Sequence, residues 1–463
     1  MVLFDQNLRC HRSFYTGEPM SFAQHFAAHI AHLGDLYTRA LLETGSGFEA
    51  VLLHSGSEHY HYADDQTAPF RAYGHFAHWL PVNRPNQLLL IVPGEKPVYF
   101  QVVPADFWYE QDIVLEEWVA AQFAVVRLPS SSAVAEHLAK RGVPLARLAF
   151  LGQNTHYATA IGIPAAAHNP SALLSWLDYQ RAWKTAYEVA CIRKANRQAL
   201  LGHTAARHTF EAGGSEYDIH MAYLQACGVL DEETPYTNIV ALDEKSAILH
   251  YQYKRRSSGA QSQVLLIDAG CRVNGYCSDI TRTSMREHTL PLFSALVDAV
   301  EALEVSLVHR VVPGISYVDI HQAAQRGIAE ILLETGICNG SLDELLAQRT
   351  STLFMPHGVG HLLGIQVHDV GGRQINTLGD IKPPPSEYPA LRNTRVIEPG
   401  QVFTIEPGLY FIRQLLDPER NTARGKLINW SLVDTLLPLG GIRIEDNVLV
   451  TQSGVENLTR VSI

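Results

Sequence analysis

Apolar and polar residues follow different periods along this chain, and the pattern changes near residue 180. From 21 to 44 apolar positions recur every three or four residues. This predicts a helix with Ser21 as N-cap and Gly45 and Gly47 beyond its end. Shorter apolar runs follow. The stretch 48–56 reads as a buried strand, and 87–92 and 98–103 flank Pro93-Gly94 as a hairpin. Strands at 124–128 and 147–152, with a helix near 132–141, complete an alternating α/β region. The stretch 54–79, polar and rich in histidine and aromatics, reads as a long surface loop.

From 179 to 214 the period is helical throughout and stops at Gly213-Gly214. This predicts one long helix joining an N-terminal domain, 1–178, to a C-terminal domain, 179–463. Ser215 and Asp218 form a capping box for the next helix. The apolar run 264–267 is a strand ending at Asp268. Asn274-Gly275 then turns a hairpin whose return arm carries Asp279. Two helices fill 288–336, joined around Pro313-Gly314. A strand over 401–411 carries Glu406, and one over 440–451 carries Arg443 and Glu445 on the same face.

The chain has 463 residues, too many for one ordinary core. Its 46% hydrophobic and 18% charged content is that of a folded protein. A net charge of −11 argues against a nucleic-acid partner, which needs a basic face. The six cysteines lack zinc-finger spacing and read as buried thiols of a reducing compartment. The first fifteen residues contain no apolar core of a signal peptide, and the longest apolar runs are strand-length. A cytoplasmic protein without membrane segments is expected.

The chemistry concentrates at 354–370, FMPHGVGHLLGIQVHDV, with His357, His361 and His368. Such histidines serve either as metal ligands or as hydrogen-bonded structural groups. His203 and His208 are five apart, about 140° around a helix, and read as ordinary helix residues. Asp268 and Asp279, on two arms of one hairpin, can meet in one site. Two adjacent carboxylates repel unless a cation or shared proton separates them; the alternative is two strand-end caps. Asp268, Asp279, His361, Glu406 and Glu445 together make a hard, oxygen-rich donor set. It suits Mn²⁺, Fe²⁺, Co²⁺ or Zn²⁺, and two ions more readily than one. Spacing alone leaves their convergence open.

The motifs IDAG with NGYCSDITRT, MPHGVGHLLGIQVHD, LRNTR with TIEPGLYF, and GGIRIEDN resemble those of pita-bread metallopeptidases, in the prolidase and aminopeptidase P group. The resemblance spans about 180–450. It implies an α+β fold, with a C-terminal pita-bread (creatinase/aminopeptidase-like) catalytic domain preceded by a creatinase-type α/β domain. It also implies two divalent ions, Mn²⁺ before Co²⁺ or Zn²⁺. Asp268 would bind one ion, Asp279 and Glu445 would bridge, and His361 and Glu406 would complete the second. Catalytic roles are implied for Glu406 as proton shuttle and for His250, His357 and His368 near the scissile carbonyl. Arg392 would hold a dipeptide's carboxylate, Arg443 would support the carboxylates, and Tyr236 would line the pocket. The implied reaction is hydrolysis of Xaa-Pro dipeptides by a metal-bridging hydroxide, with side activity on organophosphorus esters in the bacterial branch. The alternatives are an aminopeptidase P and a metal-free protein-binding module. A homodimer is implied, with Asp64 and Trp79 of the N-terminal loop reaching the partner's site.

Overall fold

The computed structural model describes residues 21–460, and the reading of the first fifteen as lacking a signal lies outside them. Two compact units share the described chain. The first holds the residues up to Gln180 together with Lys184–Ala190 and Asn376–Gly379. The second holds Arg181–Trp183, Cys191–Ile375 and the remainder from Asp380.

The first unit is built on a five-stranded mixed sheet. Its strands are β1 (Ala50–His54), β2 (Leu88–Ile91), β3 (Val98–Val102), β4 (Ala124–Leu128) and β5 (Leu148–Leu151), in the order β4-β3-β2-β1-β5. The hairpin around Pro93-Gly94 forms as expected, with Leu89 opposite Tyr99. Strands β1, β2, β3 and β5 are buried on both faces, as their continuous apolar runs require. Edge strand β4 is largely exposed. The helix Phe22–Glu43 opens with a capping box between Ser21 and Gln24.

Two expectations need correction here. The stretch 54–79 is not loop throughout: it closes in the helix Gly74–Trp79, which buries His75, Phe76, His78 and Trp79. Trp79 is fully buried and meets Tyr37 edge-on at 5.2 Å, so it cannot reach into a partner's site. Asp64, in the preceding turn, is exposed. The single helix expected over 179–214 is two helices, Ser171–Gln180 and Ala186–Glu211. Thr185 starts the second. The Glu188 carboxylate accepts the Thr185 N–H at 2.8 Å, and the Glu188 N–H reaches the Thr185 hydroxyl at 3.4 Å. The Thr-x-x-Glu signature of that cap stood in the sequence, inside an otherwise helical period.

In the second unit β7 (Val264–Asp268) is the middle of a three-stranded antiparallel sheet. It lies between β6 (Ile239–Leu242) and β10 (Thr281–Met285). Between β7 and β10 the short arms β8 (Arg272–Val273) and β9 (Tyr276–Cys277) flank the Asn274-Gly275 turn. Both turn residues have positive φ, 49° and 90°, the type I′ geometry that this dipeptide favours. Strands β11 (Val402–Ile405), β14 (Asp446–Val450) and β15 (Val455–Asn457) form a second sheet, and β12 (Gly408–Tyr410) pairs with β13 (Gly441–Arg443). Helices Pro291–His309 and Tyr317–Glu334 bury their apolar faces in the same core as β11, β13 and β14.

The strands expected over 401–411 and 440–451 are each interrupted, at Glu406-Pro407 and at Ile444-Glu445. Pro407 has no N–H to give to a ladder, and its carbonyl accepts from Ile444 at 3.3 Å. The two breaks face each other, and each places a glutamate off the regular ladder.

Gly360 sits at φ +149°, and a Cβ there would lie 2.2 Å from the Thr404 carbonyl oxygen and 2.3 Å from the Tyr317 hydroxyl. Gly360→Ala is expected to lower stability by about 1–3 kcal/mol through strain. Gly34→Ala, in an open helical position, is expected to raise it by about 0.5–1 kcal/mol. Thermal midpoints of the two variants check both signs.

Candidate metal centre

Asp268 ends β7, and Asp279 lies two residues before β10 begins, so one hairpin presents both. The Asp279 N–H is held by the Asn447 side chain at 3.0 Å. The histidine segment is extended and irregular rather than helical. Leu363 N–H donates to Val402, Thr404 N–H to His361, and Glu406 N–H to Val359, at 2.9–3.0 Å. It therefore runs beside β11 and brings His361 and Glu406 together. Glu445 enters from the other side: its N–H donates to the Thr281 carbonyl, and the Thr281 hydroxyl donates to its carboxylate at 2.7 Å.

The five side chains meet. His361 Nε2 is 3.3 Å from Asp279 and 3.8 Å from Glu406. Donor atoms of Asp279, His361 and Glu445 lie within 4.8 Å of one another. Asp268 is tied to the group by the Tyr236 hydroxyl, which is 2.7 Å from Asp268 and 2.5 Å from Asp279. Arg443 bonds Asp268 at 2.6 Å and the Tyr410 hydroxyl at 3.0 Å.

The electrostatics are those of crowded anions. Burial pushes Glu406 up to about 7, against the opposing pull of His361 and Arg443. Burial likewise lifts Asp268 to about 6, although Arg443 draws it down. Glu445 is raised well above the carboxylate range by burial and by its three acidic neighbours. Burial would raise Asp279 as well, but His361 outweighs it and leaves it lowered. Burial pulls His361 down, and Asp279 with Glu406 more than reverses this.

A cavity of about 280 Å³ opens onto these groups, and His250, His357, His368, Arg392 and Arg443 also line it. His250 and Arg392 are exposed at its rim. His357 Nδ1 faces the Gly358 carbonyl at 2.8 Å and so carries the proton, leaving Nε2 to accept from Tyr410 at 2.9 Å. His368 meets the His361 ring edge-on at 4.4 Å. Burial holds both His357 and His368 down at about 3, so both are neutral near pH 7. Tyr236 departs from expectation. It does not line the cavity, and its hydroxyl faces the carboxylates of Asp268 and Asp279. Sequence reasoning missed Tyr410, Thr281 and Asn447, which position Arg443, Glu445 and Asp279. Only their places inside the motifs TIEPGLYF, SDITRT and RIEDN could have marked them.

The donor set fits divalent ions. His361 Nδ1 points at the Leu362 carbonyl at 3.0 Å, which fixes the proton there and turns the Nε2 lone pair toward the carboxylates. This is the outer hydrogen bond that orients metal-binding histidines. Four clustered carboxylates, three of them buried, are strongly disfavoured without compensating cations, as the raised values show.

The comparisons agree with this geometry. A model described as metallopeptidase family M24 matches residues 190–452, and one described as Xaa-Pro dipeptidase, N-terminal domain, matches 24–179. The chain belongs to metallopeptidase family M24, in its two-domain, pita-bread form. It is 42% identical to an Xaa-Pro dipeptidase of Pseudoalteromonas atlantica over 95% of this chain and 98% of that one. It is 43% identical to an Xaa-Pro dipeptidase of Marinobacter nauticus over 94% and 97%. Aminopeptidase P from Escherichia coli, solved with the inhibitor Pro-Leu, shares the fold at a TM-score of 0.70 and 24% identity, covering 92% of this chain and 95% of that one. Proline aminopeptidase P II from Yersinia pestis matches at a TM-score of 0.68 and 26% identity, covering 92% and 96%.

A group whose pKa rises on folding loses stabilisation as pH climbs through the raised value, because the folded state keeps its proton longer. Above pH 7 the lowered imidazoles are already neutral in both states, while Glu406, lifted to about 7, still titrates in the folded protein. Chelator-treated protein is therefore expected to lose thermal stability from pH 7 to 8.5, and protein reloaded with Mn²⁺ to lose less. Equal slopes for the two forms would contradict the assignment.

Proposed function

We propose that the chain is an Xaa-Pro dipeptidase that hydrolyses the X–Pro bond of dipeptides at a dinuclear centre. The observation that carries the reading is the convergence of Asp268, Asp279, His361, Glu406 and Glu445 on a small cavity with Arg392 at its rim. At about 280 Å³ the cavity lies just below the range of drug-sized sites, in keeping with a dipeptide.

Asp268, Asp279 and Glu445 would hold one ion, and Asp279, His361, Glu406 and Glu445 a second, with Mn²⁺ preferred to Co²⁺ or Zn²⁺. When bound, such ions acidify a water and polarise a carbonyl. The chain's own groups do the rest. Arg392 offers a planar fork to the dipeptide's carboxylate and sets the length of substrate accepted. Glu406, beside the scissile bond, would relay a proton to the departing proline nitrogen. His250 at the rim and neutral His368 donate hydrogen bonds to the carbonyl oxygen as charge develops on it. Arg443 and Tyr410 hold His357 in one tautomer beside the same oxygen. The tertiary X–Pro amide has no N–H, so a site built on the carbonyl and carboxylate ends accepts it.

The remaining parts of the reading follow the same centre. Phosphoryl esters need the same activated water, which makes organophosphorus hydrolysis a side activity. Residues 1–178 act as the N-terminal domain, and the exposed loop around Asp64 reaches a partner in a homodimer. Among the described residues the cysteines are buried, which suits a reducing cytoplasm. Among the described residues no helix is long and apolar enough to cross a membrane.

The alternative is an aminopeptidase P, favoured only by the solved structures of like fold. Assays of Gly-Pro against Gly-Pro-Ala decide between them: the dipeptide is expected to be the far better substrate. Arg392→Ala is expected to cut kcat/KM for Gly-Pro by 10²-fold or more, about 3 kcal/mol, mostly through KM. An undiminished dipeptide rate would remove the carboxylate clamp. Tyr410→Phe should lower kcat about tenfold or more while leaving bound metal unchanged, which steady-state kinetics and metal analysis check together.

A further inference from the structure

Among the described residues a second cluster has metal-ligand character, and it lies wholly in the first unit: His29, His78 and Glu188. His29 comes from the helix Phe22–Glu43, His78 from the helix Gly74–Trp79, and Glu188 from the first turn of the helix Ala186–Glu211. All three are buried.

The distances repeat those of the M24 centre. His78 Nε2 is 3.3 Å and His29 Nδ1 is 3.9 Å from the Glu188 carboxylate oxygens. At the M24 centre His361 is 3.3 and 3.8 Å from its two carboxylates. Two ligands about 2.0–2.1 Å from a tetrahedral ion lie roughly 3.3 Å apart, so both clusters have the span of a coordination shell. Proton placement also matches. His29 Nε2 lies 2.8 Å from the His78 carbonyl, an acceptor only, so Nε2 carries the proton and Nδ1 accepts from the Thr185 hydroxyl at 2.9 Å, with the Glu188 carboxylate 3.9 Å away. A ring N–H given to a backbone carbonyl is the arrangement that orients metal-ligating imidazoles. The Thr185 N–H at 2.8 Å fixes the carboxylate from behind.

We propose that His29, His78 and Glu188 form a structural binding site for one zinc ion, separate from the M24 centre. Two imidazoles and one carboxylate are a recognised zinc donor set, and the fourth tetrahedral position falls to water or to the Thr185 hydroxyl, 2.9 Å from His29 Nδ1. Lys184 is buried near the same carboxylate and opposes any added cation. Two imidazoles hold Zn²⁺ more strongly than Mn²⁺, so zinc is the ion this donor set favours against that opposing charge. The ion would pin the first turn of the helix Ala186–Glu211 to two helices of the N-terminal unit.

The inference stands apart from the dipeptidase reading and is tested on the full-length protein by zinc-edge anomalous diffraction of zinc-equilibrated crystals. A peak about 2 Å from His29 Nδ1, His78 Nε2 and a Glu188 oxygen is expected. Anomalous signal at the M24 centre with none here would overturn the proposal. In solution, His78→Ala is expected to hold one fewer equivalent of zinc per chain, while Asp279→Asn loses ions yet keeps this one. Equal zinc content in wild type and His78→Ala would also overturn it. If His78→Ala fails to fold, the anomalous map of the wild type decides alone.

Discussion

Mutual repulsion among four clustered carboxylates, three of them buried, is the constraint on which the catalytic unit is organised. Asp268, Asp279, Glu406 and Glu445 cannot all stay ionised together, and burial first, with the acidic neighbours adding to it, raises three of them. Each carboxylate is met by a fixed partner, some of them shared. Arg443 and Tyr236 hold Asp268, His361 faces Asp279 and Glu406, and Thr281 holds Glu445. These partners leave one side of the group open toward the cavity, where cations of the right charge complete the balance.

The scaffold pays for that crowding with a rigid frame. Ligands sit at the ends or breaks of strands, where the chain leaves a ladder and can aim a carboxylate inward. Pro407 enforces one break, and the close passage of Gly360 against Thr404 lets the histidine segment lie beside β11. Beneath Glu445, Asp446 accepts from Arg282 and Asn457 and is paired with Arg460, so the strand below the ligand is anchored by further buried charge.

Much of this was legible in the sequence. The Asn274-Gly275 turn between Asp268 and Asp279 specified the hairpin from local rules alone, and the apolar runs marked the strands. The convergence of Glu406, Glu445 and His361 with that hairpin was not local. It rests on pairings between distant segments, 43 residues apart for His361 with Thr404 and 164 for Thr281 with Glu445, which no period encodes, and only the motifs' likeness to a known family suggested it. The helix break at Thr185 was written as a cap signature but masked by helical periodicity on both sides. The burial of Trp79 was hidden because a polar, histidine-rich stretch reads as surface, whereas its His75 and His78 are buried beside the carboxylates of Asp178 and Glu188.

The spread of the ligands along the chain has a consequence for how the protein matures. Of the proposed ligands the first in the chain is Asp268 and the last is Glu445. Under that assignment an emerging chain lacks the complete shell of this centre until Glu445 has been made, so it would not stall half-built around ions bound there. Ion uptake becomes the last event of assembly, after the slow long-range strand pairings are made. Bound metal would then certify that a molecule has been finished, and a chain truncated before its final strands would be recognisable by its failure to retain it.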